Sequence, residues 1–336
     1  MSQIKGKQSI EFKNTPYIIE SASIVGKKEG EGPLAGCFDR VCNDETFGAD
    51  NWEAAESKLQ EDTCNLLFEK SKMNTDDIRY LFSGDLLEQD IATSFGLKNI
   101  KIPMFGLFGA CSTIGEALSL ASMTVGGGYA DNVIAMASSH FASAEKQFRF
   151  PLDYAGQRPL AATWTVTGCG AYIVGNKPDK VKITGITTGK IIDYGVRDTF
   201  NMGAAMAPAA ADTILNNLMD FNRKASDYDA IITGDLGYVG KHILIDILRE
   251  WDIDVADNHI DCGIEIFSPN EQDTHSGGSG CGCAASVFSA YILPKIRSGE
   301  LKRVLFVPTG ALMSKTSFNE GQSIPGIAHG VVIEKA

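Results

Sequence analysis

Two stretches of the chain carry nearly the same message 150 residues apart. Asp76–Leu86 reads DDIRYLFSGDL and Ser226–Leu236 reads SDYDAIITGDL, so Gly84-Asp85-Leu86 returns as Gly234-Asp235-Leu236. Two more anchors follow in the same order. Ala130–Ser138 shares its pattern with Leu301–Thr309, and Gly168–Val174 shares its pattern with Ala328–Glu334, Gly170 falling over Gly330. Ordered anchors at similar offsets mark a duplicated unit, here an N-terminal half, roughly 1–176, and a C-terminal half, 177–336. The spacing of apolar residues predicts helices over Asn51–Lys70 (Trp52, Ala55, Leu59, Leu66, Leu67), Ala209–Phe221 and His242–Trp251. It predicts a mostly apolar helix in each half, Thr113–Val125 and Ala284–Arg297, and strands over Tyr80–Phe82, Met104–Phe108 and Ala230–Thr233. Apolar strands alternating with helices require a sheet covered on both faces. Two such units predict a layered α/β/α/β/α sandwich, with ligands gathering where loops leave the strands' carboxyl ends.

Composition narrows the function. Against 42 Asp+Glu the chain has 30 Lys+Arg, a net charge of −12. Neutralising phosphates needs a basic face, so nucleic acid is excluded as a partner, as is direct adhesion to an anionic membrane. Met1–Glu20 has no apolar run fit for a signal peptide. The longest uncharged stretch, Ser276–Pro294, begins in Gly, Ser and Cys and reads as a loop entering a buried helix, not as a transmembrane segment. Eight scattered cysteines without a signal peptide argue for a reducing, cytoplasmic setting and against a disulfide framework. Cys281-Gly282-Cys283 has no histidine at metal-site spacing, so no metal site is expected.

The strongest local signal is Phe108-Gly109-Ala110-Cys111-Ser112-Thr113. An apolar strand ends there and a cysteine opens a long helix, where the helix dipole and unpaired amides favour thiolate or an anionic ligand. A small buried hydrophobe is the plain alternative. A nucleophilic cysteine needs a base. His140, His275 and His329 lie in loops that a two-fold repeat can bring near Cys111, whereas His242 reads as a surface residue and His259 as solvated within a charged loop. Asp85 and Asp235 occupy equivalent strand ends, where an acid either forms a turn or walls a pocket. Phe148-Arg149-Phe150-Pro151, with Lys146 and Arg158, is the most basic segment and a candidate port for an anion.

Duplicated halves, Cys111 at the start of the first central helix and Ala284-Ala285-Ser286 in the second resemble the thiolase-fold condensing enzymes. More closely, the chain resembles the stage V sporulation AD family of spore-forming Firmicutes. That likeness rests on Gly84–Leu87, Leu107–Thr113, Ser138–His140, Glu145–Arg149, Met202–Thr213, Thr233–Leu236, Asp261–Gly263, His275–Cys281 and Ile324–Gly330. The resemblance implies a thiolase-like sandwich that binds dipicolinic acid, or its calcium chelate, in the pocket where condensing enzymes hold substrate. No cofactor is implied. It implies uptake of dipicolinate during sporulation and its release in germination. The implied partners are other stage V sporulation A membrane proteins, with this chain cytoplasmic or peripheral at the spore inner membrane and paired as a homodimer. The residues expected around the ligand are Asp85, Cys111, Ser112, Ser139, His140, Asp235, Cys281 and His329. Condensing enzymes supply His/His or His/Asn to their cysteine from second-half loops. Here Asp235 and Cys281 stand at those positions, so no condensing activity is expected. The alternative is an acyltransferase of the thiolase or ketoacyl-synthase type acting through Cys111.

Overall fold

A computed structural model describes residues 3–148 and 157–336. The first repeat runs β1 (Tyr17–Val25), α1 (Trp52–Ser71), β2 (Tyr80–Gly84), α2 (Ile91–Leu97), β3 (Met104–Gly106), α3 (Thr113–Gly126), β4 (Asn132–Ser139), α4 (Phe141–Phe148) and β5 (Gly168–Gly175). The second begins with β6 (Val181–Thr187), α5 (Met202–Phe221), β7 (Ala230–Thr233), α6 (Gly237–Glu250), β8 (His259–Asp261) and α7 (Cys281–Val287). It continues through a π-helical turn at Phe288–Ile292 into α8 (Leu293–Ser298), β9 (Arg303–Val307), α9 (Lys315–Asn319) and β10 (Gly330–Lys335).

Strands pair in the order β1-β5-β4-β2-β3 and, again, β6-β10-β9-β7-β8. In both, the first two pairings are antiparallel and the last two parallel. Even the irregularities correspond, since β1 bulges between Ile18 and Glu20 and β6 between Ile183 and Gly185. The two sheets join where Tyr17 pairs with Lys182.

Alternation along the strands sets the layers. Val133, Ala135, Ile232 and Phe306 face inward, onto Ile114 and Leu118 of α3 and Ala284, Val287 and Phe288 of the second central helix. Ile134 and Met136 face outward onto Ala55, Leu59 and Leu67 of α1. Ile231 and Leu305 face outward onto Met206, Ile214, Leu244 and Leu248 of α5 and α6. The result is the expected α/β/α/β/α order.

Local chemistry moves several element boundaries. The second central helix starts at Cys281 and is interrupted before Pro294, whose ring cannot follow a regular α-helical turn, so a π turn absorbs the misfit. The helix predicted from Ala209 begins at Met202, capped by Asn201 and continuing through Pro208. His259, read as solvated, is buried in β8, where Thr233 Oγ1 lies 2.9 Å from its Nε2. Parallel pairing of β8 with β7 draws this charged-looking stretch into the sheet.

The middle layer is tight. A Cβ on Gly170 of β5 would run into the backbone of Ala285 in α7. Gly170→Ala is therefore expected to destabilise the protein by about 1–3 kcal/mol through overpacking. Thermal melting should show this as a Tm several degrees lower, and an unchanged Tm would contradict the close approach.

Candidate functional site

Cys111 lies in the turn between β3 and α3. Ala110 before it has φ +52°, a left-handed conformation that costs an L-residue about 1–3 kcal/mol and swings the cysteine inward. Ser112 stabilises the turn, its hydroxyl and amide both donating to Gly109 O, at 2.7 and 3.2 Å. From the second repeat, the loop after β7 brings Asp235 and the loop before α7 brings Gly280, whose φ of +101° suits glycine. Asp235 Oδ1 accepts from Thr309 Oγ1 at 2.8 Å and Oδ2 from the Gly280 amide at 3.0 Å. The Cys111 thiol meets both the Asp235 carboxyl and the Gly280 amide.

Burial first, and the Asp235 charge second, push the Cys111 thiol well above its ordinary value. Burial pushes Asp235 up to about 7, against the hydrogen bonds from Cys111, Gly280 and Thr309 that favour its ionised form. A thiolate beside an imidazolium leaves a neutral pair, but a thiolate beside a carboxylate concentrates two negative charges in a dry site. The proton therefore stays on sulfur at neutral pH.

Above this pair opens a cavity of about 750 Å³. Cys111 and Ala110 line it together with Leu86, Phe108, Met202, Thr165 and Ser279. Ala144, Glu145 and Phe148 of α4 form one flank, and the segment from Ala311 through α9 forms another. α4 and α9 occupy the same place in the two repeats, between the fourth and fifth strands, so the duplication itself builds the walls.

A family model for stage V sporulation protein AD (SpoVAD) matches residues 6–334. Stage V sporulation protein AD of Bacillus subtilis (strain 168) is 45% identical over 334 residues, covering 99% of this chain and 98% of that one. The chain belongs to the stage V sporulation protein AD family. Among solved structures it is similar to 3-oxoacyl-[acyl-carrier-protein] synthase III from Aquifex aeolicus (TM-score 0.57, 13% identity, covering 95% of this chain and 99% of that one). It is also similar to the Acat5 thiolase from Ascaris suum (0.56, 11%, 96% and 100%) and to a variant of OleA from Xanthomonas campestris (0.60, 12%, 96% and 97%). At such identities the likeness concerns the fold, which is thiolase-like.

Of the eight residues expected around a ligand, the cavity lining takes Cys111, with Asp235 directly behind it. Asp85 turns the other way, its carboxylate accepting from the Leu87 amide (2.8 Å) and from the Thr93 amide and hydroxyl (2.8 and 2.6 Å). Ser139 donates to Val166 O at 2.6 Å and accepts from the Gly282 amide at 3.1 Å. Cys281 donates its thiol proton to Ser138 O at 2.8 Å. His140 faces the outer layer, 5.8 Å from the Trp52 ring. Its Nδ1 accepts from the Ala142 amide and its Nε2 lies 2.8 Å from Glu45 O, a neutral tautomer that burial favours. His329 is buried, accepts from the Gly189 amide at 3.3 Å, and is pushed down to about 4 by burial. None of the five histidines is among the residues that line the cavity. His275 lies 3.0 Å from Asp273. In the basic segment Arg149, Phe150 and Pro151 lie outside the described residues, Lys146 pairs with Glu53, and Arg158 pairs with Asp273.

Asp235 ties stability to pH. In the folded protein it binds a proton up to about pH 7, as does Glu29, while the unfolded chain has lost both protons above the ordinary carboxylate range. Their stabilisation is full at low pH and is lost as pH rises through about 7. His259 and His329, lowered to about 3 and about 4, work in the opposite sense but are neutral in both states above about pH 6.5. Tm is therefore expected to fall between about pH 6.5 and 8.5, and Asp235→Asn to flatten part of that fall. The same variant should let iodoacetamide reach Cys111 at lower pH, read by peptide mass, with burial still keeping the thiol above an ordinary cysteine. An unchanged alkylation profile would separate Asp235 from the thiol.

Proposed function

We propose that this protein is a non-catalytic binding protein for dipicolinate, free or as its calcium chelate, acting in dipicolinate uptake during sporulation and release in germination. The observation that carries this reading is a roomy, largely apolar cavity over a cysteine that meets the acid Asp235 and, among the described residues, no histidine of the cavity lining. Apolar and aromatic walls suit a flat ring, and small ligands are held by such walls with a few convergent polar groups. A third reading, a purely structural scaffold for a membrane complex, would leave the pocket occluded, and a cavity of about 750 Å³ argues against it. The cavity also keeps the acyltransferase reading testable, since Cys111 is reachable from it, but burial and the Asp235 charge beside the thiol hold its proton on sulfur.

Calorimetric titration with dipicolinate, with and without calcium, should give saturable heat, and no heat at millimolar ligand would sink the proposal. Incubation with acetyl- or malonyl-CoA should leave the intact mass unchanged. A stoichiometric adduct that disappears in Cys111→Ala would favour the acyltransferase instead.

The protein works as a homodimer in this reading, docked peripherally at the spore inner membrane by other stage V sporulation A proteins. Among the described residues no helix is long and apolar enough to cross a membrane. Support for the dimer comes from β3, an edge strand that among the described residues pairs with β2 alone and exposes Met104 and Phe105, with Phe108 just beyond. Exposed apolar edges are sites of strand pairing unless blocked. Phe105→Asp is expected to convert a dimer into a monomer in sedimentation velocity. A wild type that sediments as a monomer at micromolar concentration would overturn the pairing.

A further inference from the structure

The charge around the cavity is uneven. Its charged lining, among the described residues, consists of Glu145 and Lys315. Glu145 is buried in α4 and already engaged. Lys315 stands in the first turn of α9, held there by a reciprocal cap in which Ser314 Oγ accepts from the Ser317 amide at 3.1 Å. Some lysines of this acid-rich chain pair with acids, Lys70 with Asp39 and Lys295 with Glu300 at 2.7 Å each, while other exposed ones, Lys72 and Lys180 among them, have no ion pair among the described residues. Lys315 is exposed like these, and its place in the cavity lining is what sets it apart. Among the described residues the Lys315 ammonium has neither an ion pair nor a hydrogen bond, although it borders a largely apolar cavity.

An unpaired ammonium beside apolar walls matches one chemical class of ligand, a flat or apolar body carrying an anionic group. We infer that Lys315 is the specificity-determining residue of this cavity, supplying the countercharge to a ligand carboxylate whose ring lies against Phe108, Met202 and Phe318. The inference rests on the proposed reading of the cavity as a carboxylate site and names the group that reads the charge. It also gives α9 a task. No α9 residue is buried, so the helix contributes little to the core, and its side chains are free to face the cavity.

The experiment titrates dipicolinate into the wild type, Lys315→Glu, Lys315→Arg and Lys180→Glu, the last being the same charge reversal at an exposed site outside the cavity lining. Lys315→Glu should weaken binding about tenfold or more, the size of a lost charge-assisted contact. Lys315→Arg should stay within about threefold of wild type and Lys180→Glu should be unchanged. Wild-type binding that Lys315→Glu leaves within about twofold would overturn the inference while sparing the dipicolinate reading. If the wild type gives no heat with dipicolinate, that reading falls, and two fluorescent probes decide the role of Lys315. One is anionic (anilinonaphthalenesulfonate) and the other neutral (phenylnaphthylamine). A wild-type preference for the anion that disappears in Lys315→Glu supports the inference. A preference that persists in the variant overturns it, as does a wild type that favours the neutral probe or takes neither. Because no α9 residue is buried, these variants should melt with the wild type.

Discussion

The Asp235 carboxyl receives the Thr309 hydroxyl and the Gly280 amide while meeting the Cys111 thiol, so loops from both repeats end on one buried group. An acid taken wholly out of water is costly unless its oxygens are occupied or it takes up a proton, and Asp235 does some of each. The positions of the β7 loop, the Gly280 turn and the strand beyond Pro308 are thereby coupled. Asp261 braces the arrangement from behind, accepting from Thr233 Oγ1 at 2.6 Å and from the Leu236 and Gly237 amides at 2.9 and 3.0 Å. A cavity at this place follows from the topology, because strand ends and helix starts of two repeats converge there. Asp235 decides what the thiol beneath that cavity can do.

Duplication produced two Gly-Asp-Leu loops, and packing gave them different tasks. Asp85 closes the turn into α2 and sits within a buried polar cluster beneath α1. There Glu56 accepts from Ser138 Oγ at 2.9 Å and Gln60 donates to Thr93 Oγ1 and Ser138 Oγ, each at 2.8 Å. Burial raises both Glu56 and Asp85, and their proximity allows only limited charge in that cluster. The outer layer of the first repeat thus uses its acid for rigidity. The second repeat turns the equivalent acid toward the partner half, where the two central helices begin.

Much of this architecture was legible because it repeats. Apolar runs at matched offsets located β2, β4, β7 and β9, and the position of Cys111 between a strand and a helix followed from its flanking glycine and threonine. The third strand of the second repeat was not legible, because His259 and its acidic neighbours look solvated until β7 supplies the parallel partner and Thr233 the hydrogen bond. Side-chain direction was the harder limit. Ser139 and His140 adjoin the right strand end, yet bonds to Val166 and the Gly282 amide occupy the Ser139 hydroxyl, and bonds to Ala142 and Glu45 hold His140 in the outer layer. The α9 wall escaped notice because Ser314–Asn319 is a short polar stretch without apolar periodicity, and only the fold shows that it stands opposite α4.

An excess of twelve negative charges is ill suited, on average, to an anion site. Charge acts locally, however, because salt screens exposed groups beyond about 8 Å at physiological ionic strength. The acid nearest the cavity floor is buried, and burial moves Asp235 toward its neutral form around pH 7. The cation at the cavity wall, Lys315, has no acidic partner among the described residues, whereas Lys146 and Arg158, close in sequence to α4, are paired with Glu53 and Asp273. Among the described residues the charged groups at the cavity are the protonatable Asp235, the engaged Glu145 and the Lys315 ammonium, against a surface that is acidic on average. Neither state of Asp235 favours thioester chemistry: protonated, it takes no proton from the thiol, and ionised, it raises the cost of a thiolate beside it. Burial keeps Cys111 protonated in either state of Asp235, and the protonated state of Asp235 is the one that leaves the floor tolerant of an anion.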